Sequence, residues 1–485
     1  MDDQESGFLT GDRFSHGCLE LVFQREQLQN RRALVRGRKL RLLRKGGTTS
    51  LTGEGPFINN SCNDQTPFIA SMKRISILAL ILGACFASAW AQQNAGTPRS
   101  GKHPLLRHRI VNGMAEAPGA AAAAKLKTWD LGHYSGGTWA DLGDINDFGV
   151  AVGMGDLPDG STHTLAVPLF GPNALKWIDL GTLGGTQPTG WEESIAGISD
   201  TGVVVGHSTT AEGHVHGFVW TEKTGMIDLG TLADTGNMAY NSSYASRINK
   251  SGTLITGWSG VEQSCINCAP TLPVVWTASV GWKNGAPVTK WRIQQLDTAD
   301  LDKITNWFAW SVNDFGQIVG EGNGPQGDYV GVLWTPASTG KGWKVSQLPA
   351  TSEYPLPEPF NINDRGEIAG DIEPADFSVW IPAYWKPLDP LRQTYSAPIV
   401  LRLPKGFSSG YADGINELGD MTGECWGAAG DQAVQWTTQN PTFSQVIGSP
   451  ADAWSWSFGV SNFRIAVLSY GDASCDSCGR AVQLR

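Results

Sequence analysis

The sequence predicts an all-β fold, a seven-bladed β-propeller closed by its amino-terminal strand, and three observations lead to this prediction. A nine-residue pattern recurs, with copies starting at Ile145, Ile198, Ile248, Val312, Ile362, Ile415 and Val460. The starts lie about 50 residues apart, which is typical of propeller blades. The two ends of the repeated region carry complementary strands. The composition, with 60 Gly, 26 Pro and 17% charged residues, suits strands joined by many turns.

The pattern itself predicts a tight turn followed by a buried strand. In the copy VNDFGQIVG, Val312 to Gly320, Asn and Asp can start the turn and the first Gly accepts positive φ. These residues are typical of a short hairpin with a type I turn and a glycine bulge. The apolar residues that follow favour a strand covered on both faces. Turn geometry alone accounts for the Asn and Asp at this stage.

Residues 1–71 differ from the rest of the chain because they carry a basic stretch between Arg31 and Lys45. Such a stretch could be a nucleic-acid-binding tail. The alternative, a disordered extension that is not native to the protein, is favoured because of the segment that follows it.

Met72 to Ala91 have the parts of a secretory signal peptide: a basic start, an apolar stretch and Ala-Trp-Ala before Gln92. A membrane-spanning helix is a rival interpretation, but the apolar stretch is shorter than the roughly 20 residues that a span needs. A lipoprotein anchored at Cys85 also stays open. Residues 92–125 are rich in Gln, Gly, Pro and Ala and are expected to form a flexible leader.

The segment expected to remain after cleavage is acidic. Removal of residues 1–91 lowers the number of Lys and Arg from 36 to 24 and of Asp and Glu from 46 to 38. An acidic protein is a poor partner for nucleic acid or an anionic lipid surface. The sequence therefore predicts no nucleic-acid partner, and no membrane span in the mature chain.

The expected propeller domain, residues 126–485, begins in the middle of a repeat. TWDLG, Thr128 to Gly132, matches the element that comes last in complete repeats, as at Asp179 and Asp228. The last repeat reaches only its third strand, RAVQL, which ends at Leu484. The spare first strand is therefore predicted to complete the seventh blade and to remove an exposed sheet edge.

The turn pattern, the strand HGFVW at His216 to Trp220 and the element DLGTLGG resemble the bacterial extracellular HAF repeats. The resemblance covers about Lys127 to Arg485. It implies export and a repeated β fold, with a secreted, periplasmic or cell-surface location in a bacterium. It implies no defined activity, and no catalytic residue is carried over from it.

The expected function is that of a binding or scaffold module at the cell exterior, with an extracellular polysaccharide or protein as partner. The alternative is a propeller enzyme that acts on extracellular glycans at the mouth of its channel. The non-enzymatic function is favoured because the sequence has no HExxH, P-loop, GxSxG or EF-hand pattern. No catalytic residue, metal or cofactor is predicted.

Two C-x-x-C pairs, Cys265 with Cys268 and Cys475 with Cys478, are candidates for redox chemistry, zinc binding or disulfides. A shared zinc site would require loops of repeats three and seven to meet, although these repeats are not neighbours in the ring. Two local disulfides are favoured in an exported protein. Cys425 is left as a buried thiol or as the partner of a residue that the sequence does not identify.

Four aromatic residues precede the turn by four positions and are the candidate ligand-binding residues: Tyr244, Phe308, Tyr411 and Trp456. This spacing places them at the start of the innermost strand, where rings could stack on a sugar. Packing between blades explains them as well and is favoured. Glu192, Glu193 and Asp141 lie in equivalent segments and could supply a pair of carboxylates for glycoside chemistry.

Overall fold

The computed structural model describes residues 126–185, 196–261, 270–283, 286–298, 304, 306–323 and 329–485. The predicted signal peptide, the leader, Glu192, Glu193, Cys265 and Cys268 lie outside the described residues. The described part of the chain is all-β, as predicted, with only a short 3-10 helix at Leu232–Thr235. Among these residues we find no helix with the length and apolarity to cross a membrane.

The strands follow one another in antiparallel groups, one group for each repeat. The first four groups are β2 (Ala140–Ile145), β3 (Val150–Asp156), β4 (Thr162–Pro168) and β5 (Ile178–Asp179); β6 (Gly197–Ile198), β7 (Val204–Thr209), β8 (Val215–Thr221) and β9 (Gly225–Asp228); β10 (Ser242–Ile248), β11 (Leu254–Gly260), β12 (Thr271–Lys283) and β13 (Ala286–Gln295); and β14 (Asn306–Val312), β15 (Ile318–Asn323), β16 (Tyr329–Pro336) and β17 (Trp343–Gln347).

The next groups are β18 (Leu356–Ile362), β19 (Ile368–Glu373), β20 (Ile381–Trp385) and β21 (Ile399–Val400), then β22 (Phe407–Ile415), β23 (Asp420–Gly427), β24 (Gly430–Thr437) and β25 (Gln445–Val446). The last group holds β26 (Trp454–Val460), β27 (Ile465–Asp472) and β28 (Cys475–Gln483). Its fourth strand is β1 (Thr128–Gly132), which comes from the other end of the described chain.

β1 pairs antiparallel with β28, and the register places Thr128 opposite Val482 and Trp129 opposite Ala481. Leu131 is buried with Leu142 of the first group and Val467 of the last. β1 therefore pairs with the third strand of the last repeat, beside Ala481 and Val482.

The apolar core lies between neighbouring groups. One cluster joins Val275 of the third group to Trp307 and Val332 of the fourth. The Trp at the end of the third strand connects groups through its indole N–H, which donates to a carbonyl of the preceding group. These bonds join Trp276 to Leu229, Trp334 to Asp297, Trp385 to Pro349 and Trp436 to Arg402, at 2.7–2.9 Å. All four Trp are buried, so this repeated residue stabilises the contact between groups.

The third position of the turn pattern does more than form its own turn. Its side chain accepts a hydrogen bond from a backbone N–H in the turn of the preceding repeat. The donor and acceptor pairs are Asp147 and Asp200, Ser251 and Asp314, Asp314 and Asp364, Asp364 and Glu417, Glu417 and Asn462, and Asn462 and Asp147, at 2.7–3.1 Å. In the remaining step, the Asp200 amide donates to the Lys250 carbonyl.

The Asn at the second position forms hydrogen bonds both within its own turn and with the turn of the next repeat. The Oδ1 of Asn313 accepts from the amides of Phe315 and Gln317 within its own turn, and its Nδ2 donates to the carbonyl of Asn363 in the next repeat. Asn363 donates in the same way to Asn416. The interpretation that turn geometry alone explains these residues is therefore incomplete, because each of these Asn residues also bonds the turn of the next repeat.

The second Gly of the pattern is required for a different reason than the first. The innermost strand of six groups carries a β-bulge just before the turn, for example between Ala309 and Ser311. The bulge brings the backbone of this strand against the second Gly, so a Cβ at Gly320 would collide with the carbonyl oxygen of Phe308. Only Gly fits at this close approach.

The disulfide between Cys475 and Cys478 is confirmed, with a Cα–Cα distance of 6.1 Å across the start of β28. Cys425 is a buried free thiol. Its burial is complete and raises the pKa of the thiol well above the usual value, so it is protonated at neutral pH.

Candidate functional site

The innermost strands converge on a cluster that we call the central aromatic cluster, formed by Val215, Tyr244, Trp258, Phe308, Trp310, Phe360, Tyr411, Trp456 and Phe458. These residues come from the second to the seventh group, so the cluster continues from one group to the next through all of them. The convergence explains why their side chains are aromatic, because large rings fill the space between strands that approach a common centre.

The structure brings all four predicted ligand-binding residues, Tyr244, Phe308, Tyr411 and Trp456, into this cluster and buries each of them. Tyr244 stacks on Trp258 with ring centroids 5.3 Å apart. Phe308 stacks on Trp310 at 5.5 Å. The ring faces of Tyr244 and Phe308 are thus covered by other aromatic rings of the protein.

Three further Trp residues pack against the cluster and stay partly exposed: Trp380, Trp426 and Trp454. We call them the indole rim. Trp380 and Trp426 meet edge to face at 4.9 Å, and Trp454 stacks on the buried Trp456 at 4.3 Å. The rim lies at the opposite end of the strands from the seven turns. Trp380, for example, lies in the loop between β19 and β20, and its carbonyl accepts a hydrogen bond from the Gly410 amide at 2.9 Å.

Carboxylates accompany these rings. Glu358, Asp371 and Glu373 are all buried, and each offers an oxygen within 4.8 Å of the oxygens of the other two. Carboxylate oxygens at this separation could hold a hard metal ion such as Ca²⁺. In the next group Glu424 accepts a hydrogen bond of 2.8 Å from the hydroxyl of Tyr411.

Sequence reasoning missed these carboxylates although a signal for one of them was present. Glu358 lies four residues before Ile362, which is the position of Tyr244, Phe308, Tyr411 and Trp456 in their own repeats. Asp371 lies opposite Glu358 in the strand pairing, and Glu373 ends the same strand. The indole rim carried no such signal, because two of its members lie at non-repeated positions at strand ends or in a loop.

The predicted carboxylate pair of Glu192 or Glu193 with Asp141 cannot be placed, since both glutamates lie outside the described residues. Asp141 is buried and accepts a hydrogen bond from the hydroxyl of Ser477, across the junction between the first and last groups. The Nδ1–H of His216 donates to a carboxylate oxygen of Asp228 at 2.8 Å, and that of His163 donates to Asp179 at 2.7 Å. These bonds join the third and fourth strands of the first two groups.

An arginine and two carboxyl groups from different groups of strands lie close together in the middle of the molecule. Arg247 of the third group lies 3.5 Å from Asp413 of the sixth, and Asp144 of the first group also interacts with this arginine. Burial raises the pKa of Asp413 to about 7, with Asp144 adding to the increase and Arg247 opposing it. Burial likewise raises the pKa of Asp144.

These shifts predict a pH dependence of stability. Folded Asp413 keeps its proton up to about pH 7, whereas the unfolded chain releases it near 3.8. The contribution of Asp413 to the free energy of unfolding is therefore greatest below pH 4 and falls as pH rises to 7, by up to about 1.4 kcal/mol per pH unit. In denaturant titrations between pH 5 and 7, Asp413→Asn should reduce this decline. An unchanged slope in the variant would contradict the assignment to Asp413.

No protein-family model matches the chain, and no curated protein matches it. Among solved structures it is similar to the β-propeller domain of the Trilobed protease from Pyrococcus furiosus, at 11% identity and a TM-score of 0.43, over 72% of this chain and 94% of that one. It is also similar to Trypanosoma rangeli sialidase in complex with sialic acid, at 11% identity and a TM-score of 0.37, over 75% of this chain and 59% of the sialidase.

A mutant of Aleuria aurantia lectin in complex with Fucalpha1-6GlcNAc is similar at 11% identity and a TM-score of 0.33, over 64% of this chain and 94% of the lectin. These are likenesses of fold at low superposition scores. No ligand or activity of this chain follows from them.

Proposed function

We propose that residues 126–485 form a closed seven-bladed propeller that acts as an exported polysaccharide-binding module, and that its repeats are of the HAF type. Closure is supported by the hydrogen bonds between turns, which return from Asn462 to Asp147. It is also supported by β1 beside β28 and by the bond from the Leu142 amide to the hydroxyl of Ser469. A closed ring leaves no sheet edge open to other chains.

Export is supported by the signal-like segment from Met72 to Ala91 and by the disulfide between Cys475 and Cys478. Disulfides persist in oxidising compartments such as the periplasm or the medium. A cell-exterior location also fits the turn sequences that resemble HAF repeats.

The observation that carries the binding function is the indole rim. Partly exposed indoles offer flat apolar faces, and sugar rings present apolar C–H faces that stack on them. Behind the rim, the fifth and sixth groups hold the buried carboxylates of Glu358, Asp371, Glu373 and Glu424, which lie too deep to meet a sugar directly. A protein partner is the second possible ligand class, and it would need no stacking of sugar rings.

A glycan-cleaving enzyme is the second candidate function, and the three clustered carboxylates favour it. Retaining glycosidases hold two carboxyl groups about 5–5.5 Å apart, close to the spacing of Glu358, Asp371 and Glu373. However, all three are nearly inaccessible, at 5%, 1% and 0% exposure. Their burial favours a structural or cation-holding role over direct attack on a sugar, so binding remains the first proposal.

The test uses protein purified from the secreted fraction, whose first residue should be Gln92. It is screened against soluble envelope polysaccharides, with Ca²⁺ and with a chelator. Trp426→Ala should weaken binding of the selected polysaccharide about tenfold, the equivalent of about 1.4 kcal/mol, as measured by calorimetry. Trp282→Ala, which removes an exposed indole from the β12–β13 hairpin, is the matched control.

Equal losses in the two Trp variants, or binding of no polysaccharide, would contradict the binding proposal. Release of shorter saccharides by the parent, abolished in Glu358→Gln with unchanged melting, would establish the enzyme instead. A first residue within 1–71 would contradict export through the predicted signal.

A further inference from the structure

The turns form a second surface, at the opposite end of the strands from the indole rim. Its centre holds what we call the carboxylate ring, the third-position side chains Asp147, Asp200, Asp314, Asp364 and Glu417. Around it, the fourth-position side chains Phe148, Phe315, Leu418 and Phe463 form an apolar rim. Phe148 and Phe463 are 71% and 68% exposed, which is unusual for phenylalanine and leaves apolar faces in water.

Two cationic side chains of the protein already contact the turn surface. The ammonium of Lys250 reaches across the ring to Asp147, at 3.3 Å. Although burial lowers its pKa, the carboxylates of Asp147, Asp200 and Glu417 raise it above the usual value. On the apolar rim, the guanidinium of Arg392 lies 4.0 Å over the ring of Phe315. A cation beside a carboxylate and a cation over an aromatic face are therefore both present on the turn surface.

Among the described contacts no cation lies over the ring of Phe148 or Phe463, and the nearby Arg365 and Arg464 are paired with Glu367 and Asp420. Leu418, Phe463 and Phe148 belong to the consecutive sixth, seventh and first repeats, and we call them the open sector. Asp147 and Glu417 lie beside it in the ring. Five carboxylates face one lysine in this ring, and the charges of Arg365 and Arg464 are offset by Glu367 and Asp420, so the charge near the open sector is negative.

We propose that the turn face, through the open sector and the carboxylate ring, docks a polypeptide segment that carries both lysine or arginine and apolar side chains. Its cations would lie near the carboxylates, as Lys250 does, or over the phenylalanine rings, as Arg392 does. Its apolar side chains would cover Phe148 and Phe463. This surface is separate from the indole rim, and the proposal does not depend on polysaccharide binding.

Charge argues against the other occupants. A second copy placed face to face would bring two carboxylate rings together, and like charges at an interface are costly. An anionic lipid surface would be repelled for the same reason. The leader of this chain contains Arg99, Lys102, Arg107 and Arg109, and its own docking is one outcome of the test.

The test measures binding of a short fluorescent peptide of alternating lysine and leucine to the secreted protein by anisotropy. The control peptides replace lysine by glutamate or leucine by serine. In the protein, Phe148→Ser combined with Phe463→Ser removes the open sector. Phe315→Ser, beneath Arg392, is the matched control. Asp200→Asn combined with Glu417→Gln removes charge but keeps an acceptor for the turn amides, as Asn462 already does for Glu417.

The lysine–leucine peptide should bind, and both double variants should weaken it about tenfold or more, while Phe315→Ser changes little. The loss from the charge variant should shrink at high salt, because salt screens exposed charges. Asp159→Asn with Asp376→Asn, on exposed loops away from the turns, should have no effect. Equal binding of the glutamate peptide, or equal binding by all variants, would overturn the proposal. Tighter binding after deletion of 92–125 would assign the surface to the leader instead of an external partner.

Discussion

Deletion of residues 126–133 should destabilise the domain severely and promote aggregation. The deletion removes β1, and with it the strand partner of β28 from Thr128 to Gly132. It exposes the apolar surface that Leu131 covers and leaves the indole N–H of Trp177 without the Leu131 carbonyl that it bonds at 2.7 Å. Each large side chain removed from the core costs about 1.5–3 kcal/mol, against a typical domain stability of about 5–15 kcal/mol.

The measurements are thermal melting and light scattering, because the newly open edge of β28 would offer unpaired backbone groups to other chains. Deletion of 92–125 is the control, since that leader contains no copy of the repeat, and its melting should match the parent. If the 126–133 deletion variant melts like the parent and stays monomeric, β1 does not complete the last group, and the proposed seven-bladed ring is contradicted.

The fold could be predicted in outline because each repeat states its own local structure. Gly at the fifth turn position has positive φ as expected, for example +75° at Gly316. In the last repeat Arg464 takes this position with φ of +60°, a conformation that costs a non-Gly residue about 1–2 kcal/mol. The ring of bonds between neighbouring repeats holds it there. The pairing of β1 with β28 agrees with the spare strand at one end of the sequence and the missing one at the other, whereas its register is known only from the structure.

The bonds between repeats could not be predicted from a single copy. An Asp beside an Asn in a turn looks the same whether it bonds its own backbone or that of a neighbouring repeat. Only the structure shows that Asp364 accepts from Asp314 and donates its own amide to Glu417. Because the pattern repeats, five such acidic side chains gather at one face, with the exposed Phe148 and Phe463 around them.

The sequence placed the four candidate residues on the inner strands and favoured packing as their role, but it could not show how deeply they are buried. The count of four residues before each turn located Tyr244, Phe308, Tyr411 and Trp456 on the inner strands, where the structure places them. Sequence gives no measure of how closely these strands converge, so it could not show that the rings bury one another. The partly exposed rings are those of Trp380, Trp426 and Trp454. They lie in a loop or at strand ends, where the sequence shows no periodic pattern.

Gly320→Ala should be strongly destabilising, as should the same change at the equivalent glycines of other repeats. A methyl group here would collide with the carbonyl oxygen of Phe308 and come within 3.0 Å of the Cα of Ala309. Neither atom can move without breaking the pairing of β14 with β15, which passes through the bulge at this point. Overpacking of a core costs about 1–3 kcal/mol and sometimes more. We expect the upper end because the colliding atoms are backbone, together with a fall in melting temperature of several degrees.

Gly202→Ala is the matched control, because it separates backbone conformation from collision. Gly202 has φ of +78°, and the methyl carbon that alanine would add there meets no atom within 4 Å. Alanine should therefore cost only the conformational term of about 1–2 kcal/mol. Chemical denaturation of the two variants measures the difference directly. The bulge explains the second glycine only if Gly320→Ala loses clearly more than Gly202→Ala. Equal losses would mean that the inner strand yields at the bulge, and the second glycine of the pattern would then need another cause.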